Sequence, residues 1–424
     1  MNSYSQSAEK LASAWDEEHL SSKFPSDLRH PELKTYLEQL KKAHLRVEQV
    51  GVSNAGREIF QVEWGKGPLK VFMWSQMHGD EPTATSALID MFMFLQKNGD
   101  KDWVKKIAET MTIRGVPMLN PDGAEMYQRR NLQGIDINRD ALDLKTPEAR
   151  LLKQLRDGWN PAIGFNLHNQ GALTTVGRGT AQATISLLVV YGDAAKTTNL
   201  GHERNQRIAS GIAAALQKFI PGHIARYSDE WTPTAFGDNF SAWGTPTILI
   251  ETGALYGKDE MYLVKMNFVA FMTALQLLAT GTEREQDPNS YVNLPENSSG
   301  GLVNFVFRKA NIVVAQPAAA TVTIRPADIA AVTERRRAGL GAPVKIRSVG
   351  EILNTRGLEE YDASGFNIVQ RFGKTKPGEL AEFYFYKRER TIDWAASELE
   401  KQFPPDAIFS TGKWIKGEKL VPRR

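Results

Sequence analysis

Hydrophobic and polar positions alternate with two different periods along the first two thirds of the chain. Arg46–Val50, Glu58–Trp64 and Leu69–Trp74 read as successive strands, with Gly-Val-Ser-Asn-Ala-Gly-Arg at 51–57 supplying the turn between the first two. Pro82–Lys97 changes period: Ala84, Leu88, Met91, Phe92 and Leu95 recur at three- and four-residue spacing, which predicts an amphipathic helix. Met111–Leu119 follows as an apolar strand, closed by the turn Asn120-Pro121-Asp122-Gly123. Helices are then expected over Thr146–Leu155, about Asn199–Phe219 and Tyr262–Leu278, with strands at Ala162–Leu167, Ile185–Tyr191 and Thr247–Ile250. Strands alternating with helices predict an α/β fold with a mixed, mostly parallel central sheet flanked by helices.

The pattern shifts twice more. Residues 1–40 read as an N-terminal helical segment broken by Pro25 and Pro31, ahead of a domain over 41–282. From Glu283 to Gly301 the chain is rich in Asn, Ser, Pro, Gly and charge, as a linker would be. Short alternating segments follow at Val303–Phe307, Thr321–Ile324, Phe366–Arg371 and Ala381–Tyr386, so 283–424 is expected to be a small β-rich C-terminal domain.

Composition narrows the chemistry. The 424 residues contain no cysteine, which removes disulfides, thiolate metal sites and cysteine nucleophiles. Imidazole comes only from His19, His30, His44, His78, His168, His202 and His223. Fifty-two basic against 49 acidic residues give a net charge of +3, too small to suggest nucleic-acid binding. The last third is the more basic part, with 22 basic and 18 acidic residues from Glu283 onward. Its cluster Arg335, Arg336, Arg337 reads as a solvated surface run. No apolar run approaches the roughly 20 residues of a membrane span, so no membrane segment is expected. Met1–Leu20 lacks the apolar core of a secretory signal, and a cytoplasmic location is expected.

Three expected strands each end in a zinc-suitable residue. Val71–Gln76 runs into His78 and then Glu81, three residues on, just before Pro82 at the helix start. His168 follows 162–167, and Glu251 follows 247–250. Open α/β sheets bind ligands beyond the carboxyl ends of their strands, where these residues should meet. His-x-x-Glu alone is a weak signal; the three strand ends together are a stronger one.

These residues resemble the zinc metallocarboxypeptidases of the carboxypeptidase A type. The shared features are His-x-x-Glu at 78–81, Asn-Pro-Asp-Gly at 120–123, Gly-Ile-Asp-Ile-Asn-Arg at 134–139, Asn-Leu-His at 166–168 and Leu-Ile-Glu at 249–251, in the family's order over roughly 40–280. The resemblance implies one Zn²⁺ held by His78, Glu81 and His168, with a position left open for water. It makes Glu251 the general base. It makes Arg129 the arginine that steadies the oxyanion, with adjacent Arg130 as the other candidate. Asn138 and Arg139 would clamp a substrate's terminal carboxylate. The family's mobile tyrosine is matched to Tyr227 ahead of Tyr256 and Tyr262. The pocket for the terminal side chain is expected near Phe236–Phe240, with Gly237 and Asp238.

The expected activity is therefore zinc-dependent removal of C-terminal amino acids from peptides, on a substrate with a free carboxylate. Two alternatives share the motifs. One is an N-acyl amino acid deacylase or peptidoglycan stem-peptide amidase on the same zinc site. The other is a catalytically inactive module that binds zinc or carboxylate, against which the presence of Glu251 and Arg129 argues. Gly79 and Asp80 stand where many family members carry an arginine, a departure that touches extended-substrate contacts.

Overall fold

The structure, a computed structural model, describes residues 5–228, 230–316, 321–333 and 343–424. The cluster Arg335–Arg337 lies outside the described residues. The chain forms two compact units that meet in sequence at Ser298/Ser299.

The first unit contains, in order, α1 (Ala8–Glu18), α2 (His30–Lys42), β1 (Arg46–Val52), β2 (Glu58–Gly65), β3 (Leu69–Ser75), α3 (Thr83–Lys97), α4 (Asp102–Thr110), β4 (Met111–Val116), α5 (Pro121–Met126) and α6 (Pro147–Trp159). It continues with β5 (Ile163–Asn169), β6 (Thr175–Val176), β7 (Ile185–Val190), α7 (Leu200–Leu216), β8 (Ile224–Arg226), α8 (Phe236–Ala242), β9 (Thr247–Thr252), α9 (Glu260–Thr280), α10 (Asn289–Val292) and β10 (Asn297–Ser298). Eight of the strands form one sheet in the order β1-β2-β4-β3-β5-β9-β7-β8. The central run β4-β3-β5-β9 is parallel, while β7 joins β9 antiparallel and β1 and β2 pair antiparallel at the far edge. The mixed, mostly parallel sheet expected from the alternation of elements is what the chain forms.

Side chains alternate across a strand, and here the alternation separates two layers. Val71, Met73, Phe165, Leu167, Ile185, Leu187, Ile248 and Ile250 enter the larger core with residues of α1, α2, α3, α4, α7 and α9. Phe72 and Trp74 face the other way, packing with Trp159 of α6 and Phe236 and Phe240 of α8. By the same parity Asn166, His168, Leu249 and Glu251 leave β5 and β9 on the α8 side.

Three expectations are corrected. Residues 1–40 are not set apart from the sheet: Leu11, Trp15, Leu33 and Leu37 lie in the main core. Asp90 of α3 fastens this segment, accepting hydrogen bonds from Trp15 Nε1, the amides of Leu20 and Ser21, and Ser21 Oγ at 2.7–2.9 Å. The expected break at 283 lies sixteen residues too early, because 283–298 packs in the first unit through buried Tyr291 and the pairing of β10 with β6. Finally, α9 has the length and apolar composition of a membrane span, contrary to the sequence expectation. Its window is 78% buried, and it serves as a core helix beside α1, α3, α4 and α7.

The second unit is β-rich, as expected. It contains β11 (Leu302–Gln316), β12 (Thr321–Thr333), β13 (Val344–Gly350), β14 (Arg356–Asp362), β15 (Phe366–Gln370), β16 (Phe383–Lys387), a short α11 (Leu399–Gln402), β17 (Ala407–Ser410) and β18 (Lys413–Lys416). These strands make one sheet, with β14 branching from β11. Its core gathers Phe307, Ile312, Ile368, Phe383, Phe385 and Phe409. The aromatic run Phe383–Tyr386 is thus a strand packed on both faces, all four side chains being buried.

Candidate metal centre and active site

The site begins where β3 ends. Gln76 takes a left-handed φ of 50°, turning the chain out of the strand, and its side chain donates to Gly79 O at 2.9 Å while accepting from Thr85 Oγ1 at 2.9 Å. Gly79 is required by close approach: a Cβ there would stand 1.9 Å from the carbonyl carbon of Gly123. The 78–81 turn therefore rests directly on the Asn120–Gly123 motif. That motif is a helix start rather than a free turn, with Asn120 Oδ1 capping the amide of Gly123 at 2.8 Å. Asp122 accepts from Ser53 Oγ, the amide of Ala55 and Arg57 Nη1 at 2.7–2.9 Å, so the 51–57 turn and the 120–123 motif hold each other.

His78, Glu81 and His168 converge, all buried. His168 Nδ1 lies 2.7 Å from Glu81 Oε2 and 3.1 Å from His78 Nδ1, and His78 Nδ1 lies 3.0 Å from Glu81 Oε2. Asn169, next to His168, donates its amide to the same Glu81 oxygen at 3.1 Å. His78 Nε2 meets Asp136 Oδ1 at 3.0 Å, so a neutral His78 would carry its proton on Nε2 and offer the Nδ1 lone pair to a metal. Two imidazole nitrogens and a carboxylate oxygen at mutual distances of about 3 Å are a donor set that could hold a metal ion, and their chemistry suits zinc. His168 Nδ1, His78 Nδ1 and a Glu81 oxygen all turn to one point, where a cation would be held by all three. The residues fit the metal.

The local electrostatics favour positive charge. Burial alone would lower the pKa of His78, but the Glu81 carboxylate and the Asp136 hydrogen bond outweigh it and raise it to about 9. Burial likewise raises a carboxyl, yet His78 and His168 hold Glu81 well below its usual range. His168 itself is lowered, chiefly by burial.

The other expected residues are distributed around this cluster. Glu251 stands beside His168 in register on the parallel strands β5 and β9, so both side chains leave the same face. Arg129 points inward: Nε donates to Asp136 Oδ2 at 2.9 Å, and Nη1 lies 3.3 Å from Glu81 Oε1. Arg130 turns away to the carbonyl of Gly134. Asn138 Oδ1 accepts from the amide of Phe236 at 2.9 Å, leaving its Nδ2 to donate elsewhere. Exposed Arg139 donates once to the carbonyl of Asn138. Tyr227, at the end of β8, shares the Glu251 face by register, since Glu251 pairs with Ser186 and Ser186 with Ala225. Burial first, then the Glu251 and Glu81 carboxylates, push its hydroxyl up to about 12. Tyr262 bonds Phe219 O from α9, and exposed Tyr256 follows β9. Asp238 accepts from the amide of Thr232 at 2.9 Å. A small pocket on the Glu251 face is lined by Leu188, Val190, Trp231 and Asp238, close to where the side-chain pocket was expected.

Asp136, the orienting partner of His78, was not singled out from the sequence. Its signal was its place two residues before Asn138 in a motif already recognised, beside a histidine in need of a second-nitrogen partner.

Residues 33–175 match the sequence model of a family described as zinc carboxypeptidase. A probable carboxypeptidase 2 of Trichophyton verrucosum (strain HKI 0517) is 31% identical over 200 residues, covering 46% of this chain and 36% of that protein. Carboxypeptidase SOL1 of Arabidopsis thaliana is 28% identical over 130 residues, covering 26% of each. The chain thus spans only about a third of the length of the first of these relatives. The solved structure of thrombin activatable fibrinolysis inhibitor shares the fold, with a TM-score of 0.50 and 14% identity over 66% of this chain and 84% of that one. The matched segment, which carries His78, Glu81 and His168, is thus similar in sequence to zinc carboxypeptidases.

Proposed function

We propose that this protein is a zinc-dependent carboxypeptidase that hydrolyses the amide bond next to a free terminal carboxylate. The observation that carries the reading is the convergence of His78, Glu81 and His168 at about 3 Å, with Glu251 beside His168 in register. Zinc held by these three residues supplies a Lewis acid that polarises the scissile carbonyl and makes water more acidic near neutrality. Glu251 takes the proton of the attacking water and returns it to the leaving amine. Arg129 turns its guanidinium, fixed by Asp136, toward the negative charge that develops on the carbonyl oxygen. Arg139 and the Nδ2 of Asn138 supply directional donors for the substrate carboxylate. Tyr227 lies on the same face as Glu251 by register, where its hydroxyl could serve the substrate.

The test is hydrolysis of N-blocked dipeptides with a free or an amidated C-terminus, with metal analysis before and after chelation. The free carboxylate should raise kcat/KM by roughly 10–100-fold, the worth of a charge-assisted hydrogen-bond pair. Chelation should abolish turnover, and Glu251→Gln should lower kcat by about 10²–10⁴ without changing zinc content. Equal rates on the two substrates would remove the carboxylate clamp from this reading.

A further inference from the structure

Residues 283–298 carry the composition of a linker, yet their last turn lies against the site. The run is anchored by Tyr291, whose hydroxyl accepts from the amide of Val189 at 2.9 Å and whose own amide donates to Ser210 Oγ at 3.1 Å. Beyond it, β10 pairs with β6, and the amide of Gly177 donates to Glu296 O at 2.8 Å. On its other side the same run meets the segment that carries Tyr227. The amide of Arg226 donates to Pro295 O at 2.8 Å, Arg226 Nη2 pairs with Glu296 Oε1 at 2.6 Å, and the amide of Ser228 donates to Asn297 Oδ1 at 3.2 Å. The amide of Tyr227 itself donates to Leu187 O at 2.8 Å. Three successive amides around the tyrosine are therefore tied, two of them to residues 295–297.

Asn297 has a second attachment. Its Nδ2 donates to Gln170 Oε1 at 3.0 Å, and Gln170, two residues after His168, donates to Ser186 Oγ at 2.8 Å. Ser186 is the residue paired with Glu251 across β7 and β9. One asparagine thus joins the Tyr227 segment to the strand of His168 and to the neighbour of Glu251. These bonds fix the backbone that carries the tyrosine.

We propose that residues Pro295–Asn297 form a strap that holds Tyr227 in place on the Glu251 face, with Asn297 as the positioning residue. The strap follows from the bonding alone; its catalytic purpose rests on the proposed carboxypeptidase reading. In this chain the tyrosine's backbone is fixed before substrate binds, so any motion is confined to rotation of its side chain.

Amide hydrogen exchange read by mass spectrometry on the full, zinc-loaded chain tests the strap without reference to turnover. The peptide covering 224–228 should exchange slowly, and Asn297→Ala should speed it about fivefold or more, the worth of one lost hydrogen bond. Asn297→Asp retains the acceptor for Ser228 and should restore the protection. Unchanged exchange in Asn297→Ala overturns the strap. Kinetics test its purpose: Asn297→Ala should lower kcat/KM about tenfold, and the double variant with Tyr227→Phe should be no slower than Tyr227→Phe alone. Full additivity of the two losses overturns the positioning role. A wild-type chain that binds zinc and hydrolyses no peptide overturns the activity instead, and the exchange data still decide the strap.

Discussion

Arg308 in the second unit and the His78–Glu81–His168 cluster in the first are both ionisable groups withdrawn from water, and their donors and acceptors balance differently. Arg308 uses all five guanidinium hydrogens. Nε and Nη2 bond the two oxygens of Glu360, Nη1 bonds Asp328 and Ile352 O, and the remaining Nη2 hydrogen bonds Thr355 O, at 2.6–3.1 Å. Nothing further could bind there without displacing a bond already made. In the first unit three potential ligand atoms converge within about 3 Å, and the donors that reach them are Arg129 Nη1 and the amide of Asn169. Burying polar groups without full pairing costs free energy. The first arrangement is complete as a part of the fold, whereas the second gathers three ligand atoms that could hold a metal ion.

The largest effect should come from breaking the complete cluster. Arg308→Ala strands two carboxylates in a mostly buried place and should cost about 3–5 kcal/mol. Urea unfolding followed by hydrogen exchange of second-unit peptides reads this loss. A cost below about 1 kcal/mol would mean that the network is a surface pair in effect.

Metal removal addresses the first-unit cluster. Zinc at a hundred times its dissociation constant should stabilise the first unit by about 2.7 kcal/mol, and a chelator should remove that gain. First-unit peptides should respond, and those around Arg308 should not. Asp136→Asn sharpens the point, since it weakens the orienting bond to His78 and leaves the three donors in place. It should lower zinc affinity by about 10–100-fold, measured by competition with a chromophoric chelator. Unchanged affinity would show that the ring is held by packing alone.

What could be read from the sequence follows the same division. His78, His168 and Glu251 were legible because each ends an apolar strand, and strand parity then dictates a common face. Asp136 and Asn297 were not, because their partners lie 58 and 127 residues away and no local period points to them. Residues 283–298 looked like a linker because their side chains are polar, but Glu296 and Asn297 spend that polarity on bonds to the 226–228 segment and Gln170. Helix α8 was missed because seven residues containing Gly237 carry too little period, although Phe240 packs on Trp74 and Phe236 packs on Phe240. In the second unit β14 escaped notice because Arg-Gly-Leu-Glu-Glu-Tyr-Asp has one fully buried position and no apolar alternation.

The smallest predicted effect is a difference in sign between the two units in acid. Burial raises the Glu360 carboxyl, but the bonds from Arg308 outweigh it and hold it below the ordinary value of 4.5. Its contribution to stability is therefore present above pH 4.5 and is lost as the pH falls through its folded value. Asp90 in the first unit runs the other way. Burial raises it above 3.8, and the bonds from Ser21 and Trp15 only partly offset that shift. Its contribution is full below pH 3.8 and declines as the pH rises through its folded value. Acidification should thus narrow the stability gap between wild type and Glu360→Gln while shifting wild type upward relative to Asp90→Asn. Parallel unfolding curves for all three proteins at several acidic pH values would measure both slopes. Slopes of the same sign would mean that Asp90 is held by its hydrogen bonds as firmly as Glu360 is by Arg308. A buried carboxylate fed only by neutral donors would then match one fed by a guanidinium, which the greater strength of charge-assisted bonds argues against.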